Sequence, residues 1–244
     1  MASTSETGHA KNVANFQDLI SFCQGYGSIY NPTKQSLKIS ELQNLYQTAN
    51  EKLTSVKTTK TSFDNATNNR KNSFSDLKPF ATKIINAFSV SGADNLAVAD
   101  AKSVNKKIQG TSKKNTSANN SNNENLASAN SISTSQQSYD RLIDHFANLI
   151  QVLKQNTAYN PNETDLKIDS LQNKLEELQT KNTNVINAYT QYSNAMIDRN
   201  QTLYSPLTGL TQTAREVKLY IKSIYGATSS QYKQVSALEF TKSR

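Results

Sequence analysis

The chain is poor in the residues that form tight turns and covalent cross-links. Its 244 residues include 7 glycines, 4 prolines, one cysteine and no tryptophan. An all-β sandwich or barrel of this length needs many tight turns, which Gly and Pro supply. A disulfide framework needs paired cysteines. These shortages exclude a disulfide-stapled fold and favour a small number of long helices.

Long apolar stretches are also missing. Apolar residues make up 35% of the chain, and no run approaches the ~18 residues that a membrane span requires. The first fifteen residues are polar and lack the apolar segment of a secretory signal. We therefore expect a protein without a membrane span, located in the cytoplasm.

Positive charge is in excess but not concentrated. The net charge is +8, with 13 basic against 8 acidic residues in 1–109 and 12 against 10 in 139–244. Such a balance permits binding to nucleic acid or another polyanion. The clustered basic stripe that is typical of nucleic-acid-binding proteins is missing.

An internal repeat dominates the sequence. The segment YNPTKQSLKISELQN starts at Tyr30, and YNPNETDLKIDSLQN starts at Tyr159. The offset of 129 residues holds without a gap as far as Arg70 and Arg199. Self-similarity of this extent predicts a tandem duplication of one module.

Four segments follow from the repeat. Residues 1–15 form a polar N-terminal tail, 16–109 the first helical module and 139–244 the second. Residues 110–138 between the modules are nearly all Ser, Asn, Thr, Lys, Gln and Ala. This composition predicts a flexible linker, with a short helical start near Leu126.

Each module contains one long amphipathic helix after the Tyr-Asn-Pro turn. Apolar positions recur at alternating steps of three and four residues, as in a coiled coil, from Ile39 to Phe74 and from Ile168 to Leu203. Pro79 and Pro206 are expected to end these helices. Shorter amphipathic segments precede and follow each long helix, the last of them over 96–108 and 232–240. The sequence predicts an all-α protein in which two copies form a pseudo-symmetric helical bundle.

No catalytic or metal-binding motif is found. Phosphate-binding loops, nucleophile elbows and HExxH motifs are missing. His9 and His145 are the only histidines, and both are interpreted as surface or boundary residues. Cys23 occupies an apolar helical position and is expected in the core. We therefore predict no catalytic residue, no cofactor and no metal.

Four matched residues are candidates for contact with an anion or a partner. Arg70 and Arg199 lie on the apolar seam of the long helices. Their stems can pack while the guanidinium reaches a carboxylate or a helix C-terminus, or the pair can form an anion site. Tyr30 and Tyr159 either close the end of the bundle or form a binding patch. Asn182 and Lys60, also polar on the seam, could fix the register of the helices.

The segments GHAKNVANFQDLISFCQGYGSIYNP, NKKIQG and YGATSSQYKQVSAL resemble a family of uncharacterised bacterial tandem-repeat helical proteins. The resemblance covers the chain outside the linker and includes the doubled Tyr-Asn-Pro pattern. It implies an all-helical fold and a bacterial source. No functional residue is carried over, because no activity is assigned to the family.

Three functions are compatible with these observations. The first is a non-enzymatic structural or protein-interaction scaffold built from two helical repeats, with a protein partner or self-association. The second is a basic protein that binds the phosphate backbone of nucleic acid without sequence specificity. The third is an enzyme whose site lies between the modules, on Arg70, Arg199 and the tyrosines.

Overall fold

A computed structural model of the chain describes residues 4–110 and 137–241, with side chains from Thr7 onward. Within these ranges the regular structure is helical and contains no strand. The all-α prediction is confirmed. A search of the same ranges for helices with the length and apolar character of a membrane span finds none. The predicted helical start near Leu126 lies outside the described residues.

Eight α-helices are described. They are α1 (Thr4–Gly25), α2 (Ile39–Phe74), α3 (Leu77–Ser89), α4 (Asn95–Gln109), α5 (Tyr139–Lys154), α6 (Ile168–Tyr204), α7 (Leu210–Tyr225) and α8 (Ser230–Ser236). The two long helices contain 36 and 37 residues, close to the lengths that the sequence indicates. Pro206 follows α6 as expected. Pro79 instead lies in the first turn of α3, where a backbone N–H has no helical partner to lose.

The segment predicted as a polar tail is not one in the structure, because α1 already begins at Thr4. His9, Asn12 and Val13 are all buried. The polar composition of this segment did not indicate burial, because hydrogen bonds rather than apolar contacts accommodate the His9 and Asn12 side chains. At the other end, α8 stops at Ser236, short of the predicted end at residue 240.

The chain divides into two compact units. Unit 1 consists of Met1–Asp64 and Ala188–Arg244, and unit 2 of Asn65–Asn187. The boundary falls inside both α2 and α6. Each unit therefore combines parts of both predicted modules, whose boundaries follow the sequence repeat and stay a prediction. Of the predicted linker, Gly110 caps α4 and Ser138 caps α5, while 111–136 lie outside the described residues.

Unit 1 is built around α1, α7 and the adjoining parts of the long helices. In α1 the apolar residues recur at three- and four-residue steps, which places them on one face. Its core includes Phe16, Leu19, Leu42, Leu203, Leu210 and Val217, each fully buried. Burying side chains of this size contributes about 1.5–3 kcal/mol each, so this shared core stabilises the unit.

Unit 2 is built around α3, α4 and α5. The apolar face of α5 holds Phe146, Leu149, Ile150 and Leu153 in the core, where they meet Phe88 of α3 and Ile108 of α4. The Ser138 side chain accepts a hydrogen bond from Arg141 N, which caps α5. Leu171 and Leu178 of α6 belong to the same core.

Within each unit the parts of α2 and α6 run in opposite directions. In unit 1 the Lys52 ammonium lies 3.0 Å from the Asp198 carboxylate, and Phe63, further along α2, contacts Tyr189, earlier in α6. In unit 2 Arg70 bonds to Asn182, and Ser73 bonds to the earlier Glu177. Between Val56 and Phe74 no side chain of α2 is buried, so this central stretch faces solvent over much of its surface.

Candidate functional site

The Tyr-Asn-Pro turn has the same internal hydrogen bond in both units. Tyr30 donates its hydroxyl to the Leu37 carbonyl at 2.8 Å, and Tyr159 donates to the Leu166 carbonyl, also at 2.8 Å. Both side chains are buried. Each hydroxyl thereby satisfies a carbonyl of the short 3-10 turn that leads into a long helix.

Burial also makes both phenols harder to ionise. It raises the pKa of Tyr159 to about 12, with Asp165 adding to the shift, and it raises the pKa of Tyr30 further. Neutral, buried and already hydrogen-bonded, the two tyrosines have little surface for a ligand. Their geometry supports the packing interpretation rather than the binding-patch interpretation.

A groove opens beside the turn of unit 2. It has a volume of about 600 Å³ and is lined by Ala87, Val90 and Pro161, among others. Lys83 also lines the groove, and its ammonium lies 2.6 Å from the Asp165 carboxylate. Tyr159 contributes part of the wall. The groove is wide and open and lacks a convergent set of charged groups.

Arg70 is the most strongly organised of the predicted contact residues. Its guanidinium lies over the Tyr139 ring, 4.1 Å from the centroid, and Nη1 donates to Asn182 Oδ1 at 2.9 Å. Asn182 in turn donates to Asp140 Oδ1 at 2.7 Å. Among the described residues no carboxylate forms an ion pair with Arg70, and its buried Nε has no hydrogen-bond partner.

Arg199 has different surroundings from Arg70. It is buried, and both Nε and Nη2 donate to Oδ1 of the adjacent Asn200. Arg199 belongs to unit 1 and Arg70 to unit 2. The repeat therefore places the same residue type at matched positions, while the polar contacts around each arginine are unlike.

The histidines are more buried than the sequence suggested. The interpretation as surface or boundary residues is wrong for His9 and His145, which are 6% and 7% exposed. His9 lies 2.5 Å from the Tyr204 hydroxyl. Desolvation, with Lys107 as the next cause, lowers the pKa of His145. The physical reason is that an amphipathic imidazole is tolerated in a core when polar groups or a lowered pKa accommodate it.

Cys23 lies in the core as expected and is 1% exposed. Burial raises the pKa of its thiol to about 12, so that the reactive thiolate is scarce at neutral pH. Over the described ranges, no three His, Cys, Asp or Glu residues form a group that could hold a metal ion.

Sequence reasoning missed a partly exposed aromatic cluster in unit 1, formed by Phe63, Tyr189 and Tyr192. The Phe63 ring stacks on Tyr192 at a centroid distance of 6.2 Å and contacts Tyr189 at 5.5 Å. Tyr189 remains 54% exposed, and Ile197, two turns further along α6, is 60% exposed. The heptad pattern placed Tyr189 on a buried seam, but the Phe63 ring of α2 covers it only in part.

A second missed feature is the contact between α1 and the segment Leu238–Thr241. Asn12 is fully buried, and its side chain bonds to both the N–H and the carbonyl of Thr241, at 2.9 and 3.0 Å. Asn15 donates to the Glu239 carbonyl at 2.7 Å. These partners lie 224 to 229 residues apart in the chain, so no local pattern could have indicated them.

Comparisons with protein-family models, curated proteins and solved structures give no match for this chain. The resemblance to a bacterial repeat family therefore stays a prediction.

Proposed function

We propose that the protein is a non-enzymatic interaction scaffold built from two helical repeats, and that it contacts a protein partner through the aromatic cluster. The exposure of Tyr189 beside Phe63 and Tyr192 is the observation that carries the proposal. Large aromatic side chains are enriched at protein–protein interfaces, where they supply contact area at little cost in conformational entropy.

The surroundings of the cluster suit a protein surface as partner. The nearest charges on α2, Lys60 and Asp64, neutralise each other in an ion pair of 2.7 Å. On α6, Ser193 lies one turn beyond Tyr189 and carries no charge. An apolar centre with a polar rim of low net charge is the usual anatomy of such an interface.

Matched features of the two units support the duplication that the proposal assumes. The tyrosine hydrogen bond recurs at the same length. An ion pair also joins turn to helix in both, with the charges exchanged: Lys34 of the turn meets Glu216 of α7, and Asp165 of the turn meets Lys83 of α3. The pseudo-symmetric arrangement of the bundle stays a prediction.

The proposal is tested by placing the photo-crosslinker p-benzoyl-phenylalanine at position 189 of the full chain. Gln191, exposed on the same helix but on another face, is the matched control position. We expect a discrete cross-linked protein species from position 189 only, suppressed by excess unchanged chain. The species should persist when the competitor carries Tyr189→Asp and Tyr192→Asp. Equal labelling from both positions would contradict the proposal.

The alternative, binding to the phosphate backbone of nucleic acid, is favoured by one group of residues. Lys102, Lys106 and Lys107 are exposed on α4, and Arg70 lacks a carboxylate partner in the described part of the chain. Binding to duplex DNA and RNA over a range of salt concentrations separates the two functions. A log–log slope of several units would favour nucleic acid, and a lack of binding at low salt would leave the scaffold.

A further inference from the structure

The segment Leu238–Thr241, which has no regular secondary structure, is held by side chains of two helices. Asn12 of α1 accepts from Thr241 N at 2.9 Å and donates to Thr241 O at 3.0 Å. One amide side chain thus pairs with the N–H and the carbonyl of a single residue. A carboxamide has the same donor and acceptor as a peptide group, so Asn12 pairs with the backbone of Thr241. The Thr241 hydroxyl adds a longer hydrogen bond to Asn12 Oδ1, at 3.3 Å.

Two further side chains bind the same stretch of backbone. Asn15, one turn along α1 from Asn12, donates to the Glu239 carbonyl at 2.7 Å. Lys218 of α7 donates to the Leu238 carbonyl and lies 5.2 Å from the centre of the Phe240 ring. Lys218 is half-buried, and this burial lowers its pKa.

The side chains of the segment alternate between helix and solvent. Leu238 and Phe240 are partly buried against the core of unit 1, whereas Glu239 and Thr241 are exposed. Alternation with a period of two is that of an extended chain. The surface therefore selects two apolar side chains spaced two residues apart and binds the backbone between and after them.

Asn12 also has a polar contact outside the segment. Its side chain donates to the Tyr204 hydroxyl, 3.2 Å away, which in turn contacts His9. A side chain oriented by such neighbours loses little entropy when it pairs with a peptide group.

We propose that the face of α1 with Asn12 and Asn15, together with Lys218, is a binding groove for an extended polypeptide segment with the pattern apolar–any–aromatic. Leu238–Thr241 occupies the groove within the chain, and a segment of that pattern on a partner protein displaces it. The groove is separate from the aromatic cluster, so the two proposals can fail independently.

The occupant is suited to displacement. It forms no helix, its two anchoring side chains are only partly buried, and the bonds from α1 and α7 to its backbone come from side chains. A tethered segment nevertheless competes at an effective concentration in the millimolar range. A separate peptide should therefore bind weakly until the tethered occupant is weakened.

The experiment uses a fluorescent peptide with the sequence VSALEFTKSR and the full chain, either unchanged or with Leu238→Ala and Phe240→Ala. We expect the double variant to bind the peptide at least about tenfold more tightly, because its own segment competes less. A peptide with alanine at both apolar positions is the matched control and should not bind. Equal binding by the two chains, or no binding by the double variant, would overturn the proposal.

Added substitutions locate the peptide on the protein. In the double-variant background Asn12→Leu should abolish peptide binding, while circular dichroism reports whether the chain stays folded. Asn15→Ala and Lys218→Met, at less buried positions, should each weaken binding severalfold. They test where the peptide binds if the Asn12→Leu variant unfolds. Binding that none of these three substitutions changes would show that the peptide lies elsewhere.

Discussion

Units 1 and 2 contain the same turn in different surroundings. Tyr30 and Tyr159 make equivalent hydrogen bonds, yet the ring beside Tyr159 is the fully buried Phe88, and the ring beside Tyr30 is the half-buried Tyr220. Tyr220 also accepts a hydrogen bond from Asn31 N at 3.2 Å. The local geometry of the turn follows from residues inside it, whereas the free energy gained by packing on the turn depends on the neighbouring helix.

The polar contacts of the two matched arginines also differ between the units. Arg70 rests on an aromatic ring and bonds to Asn182 of α6, while Arg199 bonds to its neighbour Asn200. The position that matches Asn182 in the first copy is Leu53. A matched position in the repeat therefore fixes the helix and the face, but not the partner.

The largest expected effect tests the support of the turn. Phe88→Ala should lower the free energy of unfolding by about 3–5 kcal/mol, because it opens a cavity in a fully buried site. Tyr220→Ala should lower it by roughly 1–3 kcal/mol, through one hydrogen bond and partial burial. Urea denaturation followed by circular dichroism measures both. Equal losses would mean that the two turns are supported alike.

A smaller effect tests the equivalence of the turns themselves. Tyr30→Phe and Tyr159→Phe each remove one hydroxyl and leave a carbonyl without its partner, so each should lower the free energy of unfolding by about 1–2 kcal/mol. The same denaturation measurement applies, with Tyr46→Phe, at a half-buried tyrosine outside the turns, as control. A large difference between the two variants would break the equivalence.

The smallest effect concerns the exchanged ion pairs. The hydrogen bond from Lys83 holds the pKa of the Asp165 carboxyl below its usual value. The ionised Asp165 carboxylate therefore stabilises the fold at pH values above the pKa that it has in the unfolded chain. This stabilisation is lost as the pH falls through the lowered pKa of the folded state. Carboxyl NMR titration should show the pKa of Asp165 returning toward 3.8 in Lys83→Met. Lys34→Met, the matched change in unit 1, should leave it unchanged, and a shift there would contradict the separation of the pairs.

Much of the fold could be predicted because its signals are local. The three- and four-residue spacing in α5 and α6, and the scarcity of Gly and Pro, indicated helices whose observed bounds agree closely. Cys23 was placed in the core by the same spacing. The burial of His9 and Asn12 could not be predicted, since their partners Tyr204 and Thr241 lie 195 and 229 residues away.

The candidate sites were less predictable than the helices. The repeat singled out Tyr30, Tyr159, Arg70 and Arg199, and the structure gives the tyrosines packing contacts and the arginines unlike neighbours. The aromatic cluster was hidden by the heptad pattern, which predicts burial wherever apolar residues recur. Whether such a residue is covered depends on which helix packs against it, and periodicity contains no information about that.

By itself the sequence determined the helices, the repeated turn and the matched positions along α2 and α6, because backbone propensity and side-chain periodicity act over a few residues. Only the tertiary structure decided that each compact unit combines parts of both predicted modules, that Tyr189 stays exposed, and that Asn12 binds the backbone of Thr241. Those outcomes depend on which distant surfaces meet, and the free energy of such contacts is set by geometry that short-range patterns do not specify.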